Sequence, residues 1–255
     1  MLSAAVLMAG LVAPVAGARG QRAEARATDT GPDCNEYLPA KTQVLTGTPS
    51  WAVSLDVVVL HDGIDKLAAE AIMSRAARSY APMNITLTST YKKVLFRADP
   101  ASVPATAAIT DLLAASKAVF GGVRPEKSDV VLLLTDKDIY LSTGDAVGYA
   151  DCIGGVRYPD RAFAIAEAFD QQEPLGALNL YVDLPAKTAA HEIGHLLGAR
   201  HEHSNCVEGT GPDVVTNREP SACTLMTTYV DFQSRWFGAL ESGVIRAHAE
   251  TYALP

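Results

Sequence analysis

The segment from His191 to His201 holds the residues of this chain whose types and spacing could do chemistry. It reads HEIGHLLGARH and places three histidines, a glutamate and a glycine within eleven residues. His191 and His195 are four residues apart, so a helix would present both imidazoles on one face. Two rings placed in this way can take two corners of a tetrahedral zinc site. The alternative is a helix whose histidines are incidental. By chance, the pattern would arise in a chain of this length with a frequency on the order of one in 10⁵.

The glutamate and the glycine of the segment fit a catalytic metal site. Glu192 adjoins His191 and cannot share its direction, so we expect it to reach a metal-bound water as a general base rather than to act as a third ligand. Gly198 can adopt the left-handed conformation that ends a helix, and the turn would bring His201 back as the third ligand. Three protein ligands leave a fourth position for water, which is typical of catalytic zinc. A different metal in the same geometry is the alternative.

A helix over residues 184–197 would position the two histidines. Its apolar positions fall within about 60° of their mean direction and form a core-facing stripe; they are Ala189, Ala190, Ile193, Leu196 and Leu197. The two imidazoles would then point away from the core, towards whatever lies across the cleft. We expect the helix to begin near Asp183, which can cap it, with Pro185 in its first turn.

The chain before this helix alternates between strand and helix patterns. Apolar or alternating runs predict strands at residues 51–62, 84–96 and 128–136. Amphipathic alanine-rich runs predict helices at residues 64–81 and 103–120. The β-α-β-α-β order predicts a mostly parallel sheet covered by helices. Residues 142–161 read as a loop, 161–169 as a strand or a helix, and 234–253 as a closing helix.

The composition of the chain limits the classes of protein to which it could belong. The 255 residues are 48% hydrophobic, with a formal net charge of −8. This acidic balance argues against nucleic acid or an anionic membrane as a main partner. Residues 1–18 resemble a secretory signal peptide, with an uncleaved membrane anchor as the alternative. We expect 19–50 to be a linker or a short pro-segment and 51–255 to be the main domain.

Four cysteines behind a predicted signal peptide indicate two disulfides formed in an oxidising compartment. Three pairings are possible among them. The local pair Cys206–Cys223 is favoured, and Cys34–Cys152 then follows by elimination.

The motif H-E-x-x-H-x-x-G-x-x-H resembles the signature of the metzincin zinc peptidases, which a methionine turn completes downstream. Met226 in CTLMTTY, 25 residues past His201, is the candidate for that methionine, which in the family lies under the zinc site; a plain core residue is the alternative. The order of residues 128–139, 146–155 and 161–169 is similar to the adamalysin (reprolysin) branch, and the likeness extends over roughly residues 51–250.

This resemblance implies an α/β metzincin-type catalytic domain. Its sheet would be twisted and mostly parallel with an antiparallel edge strand, accompanied by a zinc-motif helix and a small C-terminal subdomain. It departs from the family at Glu202, where adamalysins usually have Asp, and at Tyr229, one residue too late to match the tyrosine ligand of astacins. The cysteine that usually pairs with Cys152 is absent from residues 231–237, which again favours Cys34 as its partner. We expect a free-standing catalytic domain.

The function expected from the residues and the resemblance is that of a secreted zinc endopeptidase acting on proteins or peptides. Glu192 would serve as general base to a zinc-activated water, and one catalytic zinc would be bound. Calcium is a further candidate cofactor, although no loop has a recognisable calcium pattern. Extended substrate would pair with an edge strand formed by Phe163, Ala164, Ile165 and Ala166. We expect a monomer without membrane or nucleic-acid partners.

Three alternatives stay open at this point. The chain could be a non-catalytic binding module that keeps the zinc fold, although such a role places no demand on Glu192. It could be a zinc hydrolase restricted to short peptides, which the accessibility of the edge strand would distinguish. Finally, Cys34 could act as a thiolate that holds the enzyme latent, instead of forming a disulfide.

Overall fold

Eight strands and four helices make up the part of the chain that the computed structural model describes, namely residues 34, 39, 42–97, 106–142, 144–168, 180–201, 224–227 and 236–254. The strands are β1 (Val53–Asp62), β2 (Ile85–Val94), β3 (Thr106–Ala108), β4 (Val130–Thr135), β5 (Asp138–Leu141), β6 (Gly144–Asp145), β7 (Gly148–Ala150) and β8 (Phe163–Glu167). The helices are α1 (Lys66–Tyr80), α2 (Ile109–Ala118), α3 (Leu180–Leu196) and α4 (Ala239–Tyr252).

The main sheet has the strand order β2-β1-β4-β8-β7. The pairs β1–β2, β1–β4 and β4–β8 are parallel, and β7 runs antiparallel to β8. A mostly parallel sheet with an antiparallel edge strand is therefore confirmed. The strands β3, β5 and β6 form a second, smaller sheet.

The central strand β4 shows why this sheet is covered on both faces. All six of its residues, VVLLLT, are buried. Because side chains alternate across a strand, Val130, Leu132 and Leu134 enter the core shared with α1 and α3, whereas Val131 and Leu133 enter the core under α2. A continuous apolar run is what a strand buried on both faces requires.

The substrate edge predicted at Phe163, Ala164, Ile165 and Ala166 is wrong. These residues lie in β8, where Phe163 pairs with Val131 of β4 and Ile165 pairs with Tyr149 of β7. Both sides of β8 are thus occupied by neighbouring strands, and its side chains are buried. Among the described strands the edge on this side of the sheet is β7, inside the segment 142–161 that was expected to be a loop.

Helix α3 begins at Leu180, earlier than the predicted start near Asp183. Pro185 consequently lies inside the helix instead of in its first turn. The Asp183 carboxylate does not act as the expected cap; it accepts a hydrogen bond from Arg75 Nε of α1 at 2.5 Å. Packing of α3 against α1 offsets the backbone hydrogen bond that the proline cannot make.

The N-terminal arm, residues 42–50, lies along α4. The Leu45 N–H donates to the Ala239 carbonyl at 2.9 Å, and a side chain at Gly243 would overlap the Gln43 carbonyl. The predicted signal peptide and most of residues 19–41 fall outside the described residues. None of the described helices is both long and apolar enough to cross a membrane.

A disulfide joins Cys34 to Cys152, and the Cys34 N–H donates to the Ile153 carbonyl at 3.1 Å. This is the pairing that followed by elimination. A bonded cysteine has no thiolate to offer a metal, so the bridge argues against latency through Cys34. Cys206 and Cys223 lie outside the described residues.

Candidate metal centre

The three histidines of the motif converge on one point. His201 Nε2 lies 3.1 Å from His191 Nε2 and 3.2 Å from His195 Nε2. The candidate ligand atoms of all three lie within 4.8 Å of one another, and this is the one such group that the described residues contain. His191 and His195 come from successive turns of α3, whereas His201 comes from beyond the end of the helix.

Gly198 makes the turn that brings His201 back. Its φ is +85°, in the left-handed region, and its N–H donates to the His195 carbonyl at 2.8 Å, which closes the end of the helix. A Cβ at this position would stand 2.6 Å from Nε2 of the buried His248. Both the backbone angle and the neighbouring ring therefore require glycine here.

Hydrogen bonds at Nδ1 fix the tautomers of the two helical histidines. His191 Nδ1 donates to the Leu225 carbonyl at 2.5 Å, and His195 Nδ1 donates to the Ala199 carbonyl at 2.8 Å. Since a carbonyl only accepts, each Nδ1 carries the hydrogen and each Nε2 presents a lone pair. A metal-bound imidazole usually donates its other ring N–H to a carbonyl or carboxylate in this way.

The electrostatics of the cluster favour a cation between the rings. Burial, and then the nearby His201, lower the pKa of His191 to about 3, and burial lowers the pKa of His201 to about 4. Neither ring therefore holds an extra proton near neutral pH. A hydrogen on His201 Nε2 could satisfy only one of the two facing lone pairs, whereas a cation between the rings can accept a lone pair from each of the three histidines, and such nitrogens suit Zn²⁺. The donor set thus fits the expected metal.

The surroundings of the two helical imidazoles add to what the helical pattern predicted. The apolar stripe of α3 is fully buried as predicted, but His191 and His195 are buried as well. Residues 224–227 supply the cover on the histidine side, and the Leu225 carbonyl bonded to His191 belongs to that segment. The cover lies far along the chain, so the periodicity of one helix could not reveal it.

Met226 lies directly beneath α3. It is fully buried, and its sulfur would stand 3.0 Å from a Cβ built on Gly194, the residue before His195. The Phe237 ring approaches the same point equally closely. This glycine therefore lets the methionine segment pack against the helix that carries the histidines.

The Glu192 side chain, on α3, is buried on the side of the helix that faces β7. Tyr80 lies near it: burial and then the Glu192 charge raise the pKa of Tyr80 well above its ordinary value, and the Tyr80 hydroxyl donates to the Ala190 carbonyl at 2.7 Å. The sequence reasoning missed Tyr80 and also Gly148 of β7, where an added Cβ would overlap the Glu192 side chain. Neither carries a motif that would have revealed it.

Other candidates named from the sequence lie elsewhere. Phe163–Ala166 form the interior strand β8, separated from the edge by β7. Glu202 and Tyr229 fall outside the described residues. His248, to which no sequence motif points, packs under the turn at Gly198.

Comparison with known proteins gives matches to one kind of enzyme. The Reprolysin_5 model, metallo-peptidase family M12, matches residues 58–237. The protein named "A disintegrin and metalloproteinase with thrombospondin motifs 4" from Homo sapiens, and that from Pongo abelii, are each 33% identical over 114 residues, 44% of this chain. The match spans only 12% of the length of these relatives.

Among solved structures, archaemetzincin from Methanopyrus kandleri superimposes with a TM-score of 0.56 at 17% identity. The superposition covers 77% of this chain and 96% of archaemetzincin. At this identity the likeness concerns the fold, which is that of a metzincin.

Proposed function

Because the chain belongs to metallo-peptidase family M12, we propose that it is a secreted zinc endopeptidase of the metzincin type, with His191, His195 and His201 as the zinc ligands. The observation that carries the proposal is the convergence of the three Nε2 atoms, two of them with their tautomers fixed by carbonyls. Three ligands leave a coordination position for the reaction, as catalytic zinc requires.

Glu192 is proposed as the general base. When bound, zinc would polarise the scissile carbonyl and lower the pKa of a water molecule. Glu192 would accept the proton of that water and pass it to the leaving amine. Its support is its place in the sequence, next to His191, and its burial at the same end of α3.

Substrate is proposed to bind extended along β7, the edge that replaces the predicted one. An edge strand offers unpaired backbone groups to an added strand, and pairing of this kind tolerates many side chains. A peptide bound there would lie beside Glu192, because a Cβ on Gly148 of β7 would already overlap that side chain. This position favours protein substrates over short peptides alone.

The decisive experiment combines metal content, activity and one substitution. We expect about one zinc per chain and casein cleavage that a chelator abolishes and zinc restores. Glu192→Gln should keep the zinc and lose cleavage by at least about 100-fold, as expected for a general base. A Glu192→Gln variant with wild-type cleavage would exclude the role of Glu192, and a chain without zinc would exclude the site. Cleavage of short peptides but not casein would limit the substrate class.

Secretion and the monomeric state are proposed with the same function. The Cys34–Cys152 bridge supports an oxidising compartment. Appearance of the protein in culture medium, and its elution at the monomer mass on a calibrated column, are the measurements that check these two points.

A further inference from the structure

Gly148 opens the edge strand β7 with no requirement for a special backbone angle. Its φ is outside the left-handed region that makes glycine necessary elsewhere in the chain. It is buried and pairs with Ala166 of β8. A glycine inside a strand weakens the strand. Because Gly148 has an ordinary backbone conformation, its presence must have another cause, such as the close approach of a neighbouring element.

The neighbour is the helix that carries the histidines. A Cβ built on Gly148 would stand 2.6 Å from Thr188 Cγ2 and 2.8 Å from Glu192 Cγ, and it would also overlap Glu192 Oε1. Ordinary contact begins at 3.4 Å, so a methyl group lacks roughly 0.8 Å of space. Thr188 and Glu192 are four residues apart, so they form one ridge of α3 that β7 rests upon.

Neither side chain of this ridge can make room for a methyl group without a displacement of the Glu192 carboxylate or of β7. Both are buried, and the Thr188 hydroxyl donates to the Leu184 carbonyl at 3.1 Å, which holds the Thr188 rotamer. Glu192 Cγ is only two bonds from the helix backbone. A methyl group at position 148 would therefore turn the Glu192 carboxylate away or push β7 off the helix.

We propose that Gly148 is a positioning residue that sets the distance between the substrate-binding edge and the Glu192 carboxylate. The inference rests on the proposed function, since it gives Glu192 the role of general base. The strand proposed to receive the substrate and the Glu192 side chain can pack this closely only because position 148 has no side chain. One residue thus fixes both partners of the reaction relative to each other.

The test is Gly148→Ala beside Gly47→Ala, a control position where an added Cβ meets nothing within 4 Å. A displacement of the carboxylate by nearly 1 Å should lower kcat by about 100-fold. Zinc per chain should stay at the wild-type value, because the atoms nearest to an added Cβ belong to Thr188 and Glu192 and not to a ligand, and KM should change by less than about threefold. A crystal structure of Gly148→Ala should show a changed distance between the Glu192 carboxylate and β7, with one or both of them moved. Gly47→Ala should match wild type in every measurement.

Thr188→Ser in the Gly148→Ala background provides the rescue. It removes Cγ2, one of the overlapping atoms, and keeps the hydroxyl, so kcat should recover by about tenfold. Wild-type kcat in Gly148→Ala, or a reduced kcat with neither the Glu192 carboxylate nor β7 moved in the crystal, would overturn the inference. Loss of zinc in proportion to activity would do the same, because it would indicate a general structural defect. The proposed function fails separately, through an active Glu192→Gln.

Discussion

Substitution of Gly198 by alanine tests the link between the turn and the metal site. Two costs follow from the structure. A residue with a side chain pays about 1–2 kcal/mol for the left-handed backbone at φ +85°. Overlap of its Cβ with the His248 ring, at 2.6 Å from Nε2, adds about 1–3 kcal/mol. We expect Gly198→Ala to lower the free energy of unfolding of the metal-free protein by about 2–5 kcal/mol.

Gly121→Ala separates these two costs. Gly121 also has a left-handed φ, +72°, but an added Cβ there meets nothing within 4 Å. It should therefore show the backbone cost alone, about 1–2 kcal/mol in urea unfolding. His248→Ala combined with Gly198→Ala should cost less than the sum of the two single changes, because the shorter side chain relieves the overlap.

Gly198→Ala should also weaken metal binding. The Ala199 carbonyl that orients the His195 ring adjoins Gly198, and His201 follows three residues later. A shifted turn disturbs both rings, and such losses typically cost about 10–100-fold in metal affinity. Zinc Kd from competition with a chelating dye gives the comparison, with Gly121→Ala expected to retain wild-type affinity. Equal stabilities for the two glycine variants, together with an unchanged zinc Kd in Gly198→Ala, would refute this reasoning.

Three further predictions concern metal, disulfide and pH. Chelation should lower Tm, and zinc at about 1,000 times its Kd should restore about 4 kcal/mol of stability. Equal Tm values for the chelated and the zinc-loaded protein would count against a metal that binds only the folded chain. Cys34→Ser should lower the free energy of unfolding by about 2–4 kcal/mol in urea titrations, whereas an unchanged midpoint would deny the bridge a stabilising role. Because burial lowers the pKa of folded His191 to about 3, the unfolded chain takes up the proton first as pH falls below about 6.5. Metal-free protein should thus lose about 2 kcal/mol from this residue by pH 5, and His191→Gln should show a shallower pH dependence.

The sequence predicts the elements whose signals are local. Strands β1, β2 and β4 and helices α1, α2 and α4 were expected from apolar runs or amphipathic repeats within each segment. The motif at residues 191–201 carries its own geometry, since helical spacing and one glycine suffice to gather three histidines. For that reason the convergence of the rings could be expected without knowledge of the rest of the fold.

What the sequence missed depends on contacts distant along the chain. Strand β7 has only three residues, begins with glycine, and is a strand only because β8 pairs with it. The predicted cap at Asp183 gives way to a bond with Arg75, more than 100 residues earlier. The burial of His191 depends on residues 224–227, which no helical periodicity can anticipate.

The hydrogen bond between His191 and the Leu225 carbonyl couples metal affinity to the packing of residues 224–227 on α3. The His191 ring keeps this orientation only while that segment is docked on α3. A ligand that prefers this orientation must therefore stabilise docking by the same free energy that docking contributes to its binding. The Thr224 hydroxyl of this segment donates to the Glu241 carboxylate of α4. Substitutions in α4 that loosen this contact, although distant from the histidines in sequence, would then be detected first as weaker metal binding.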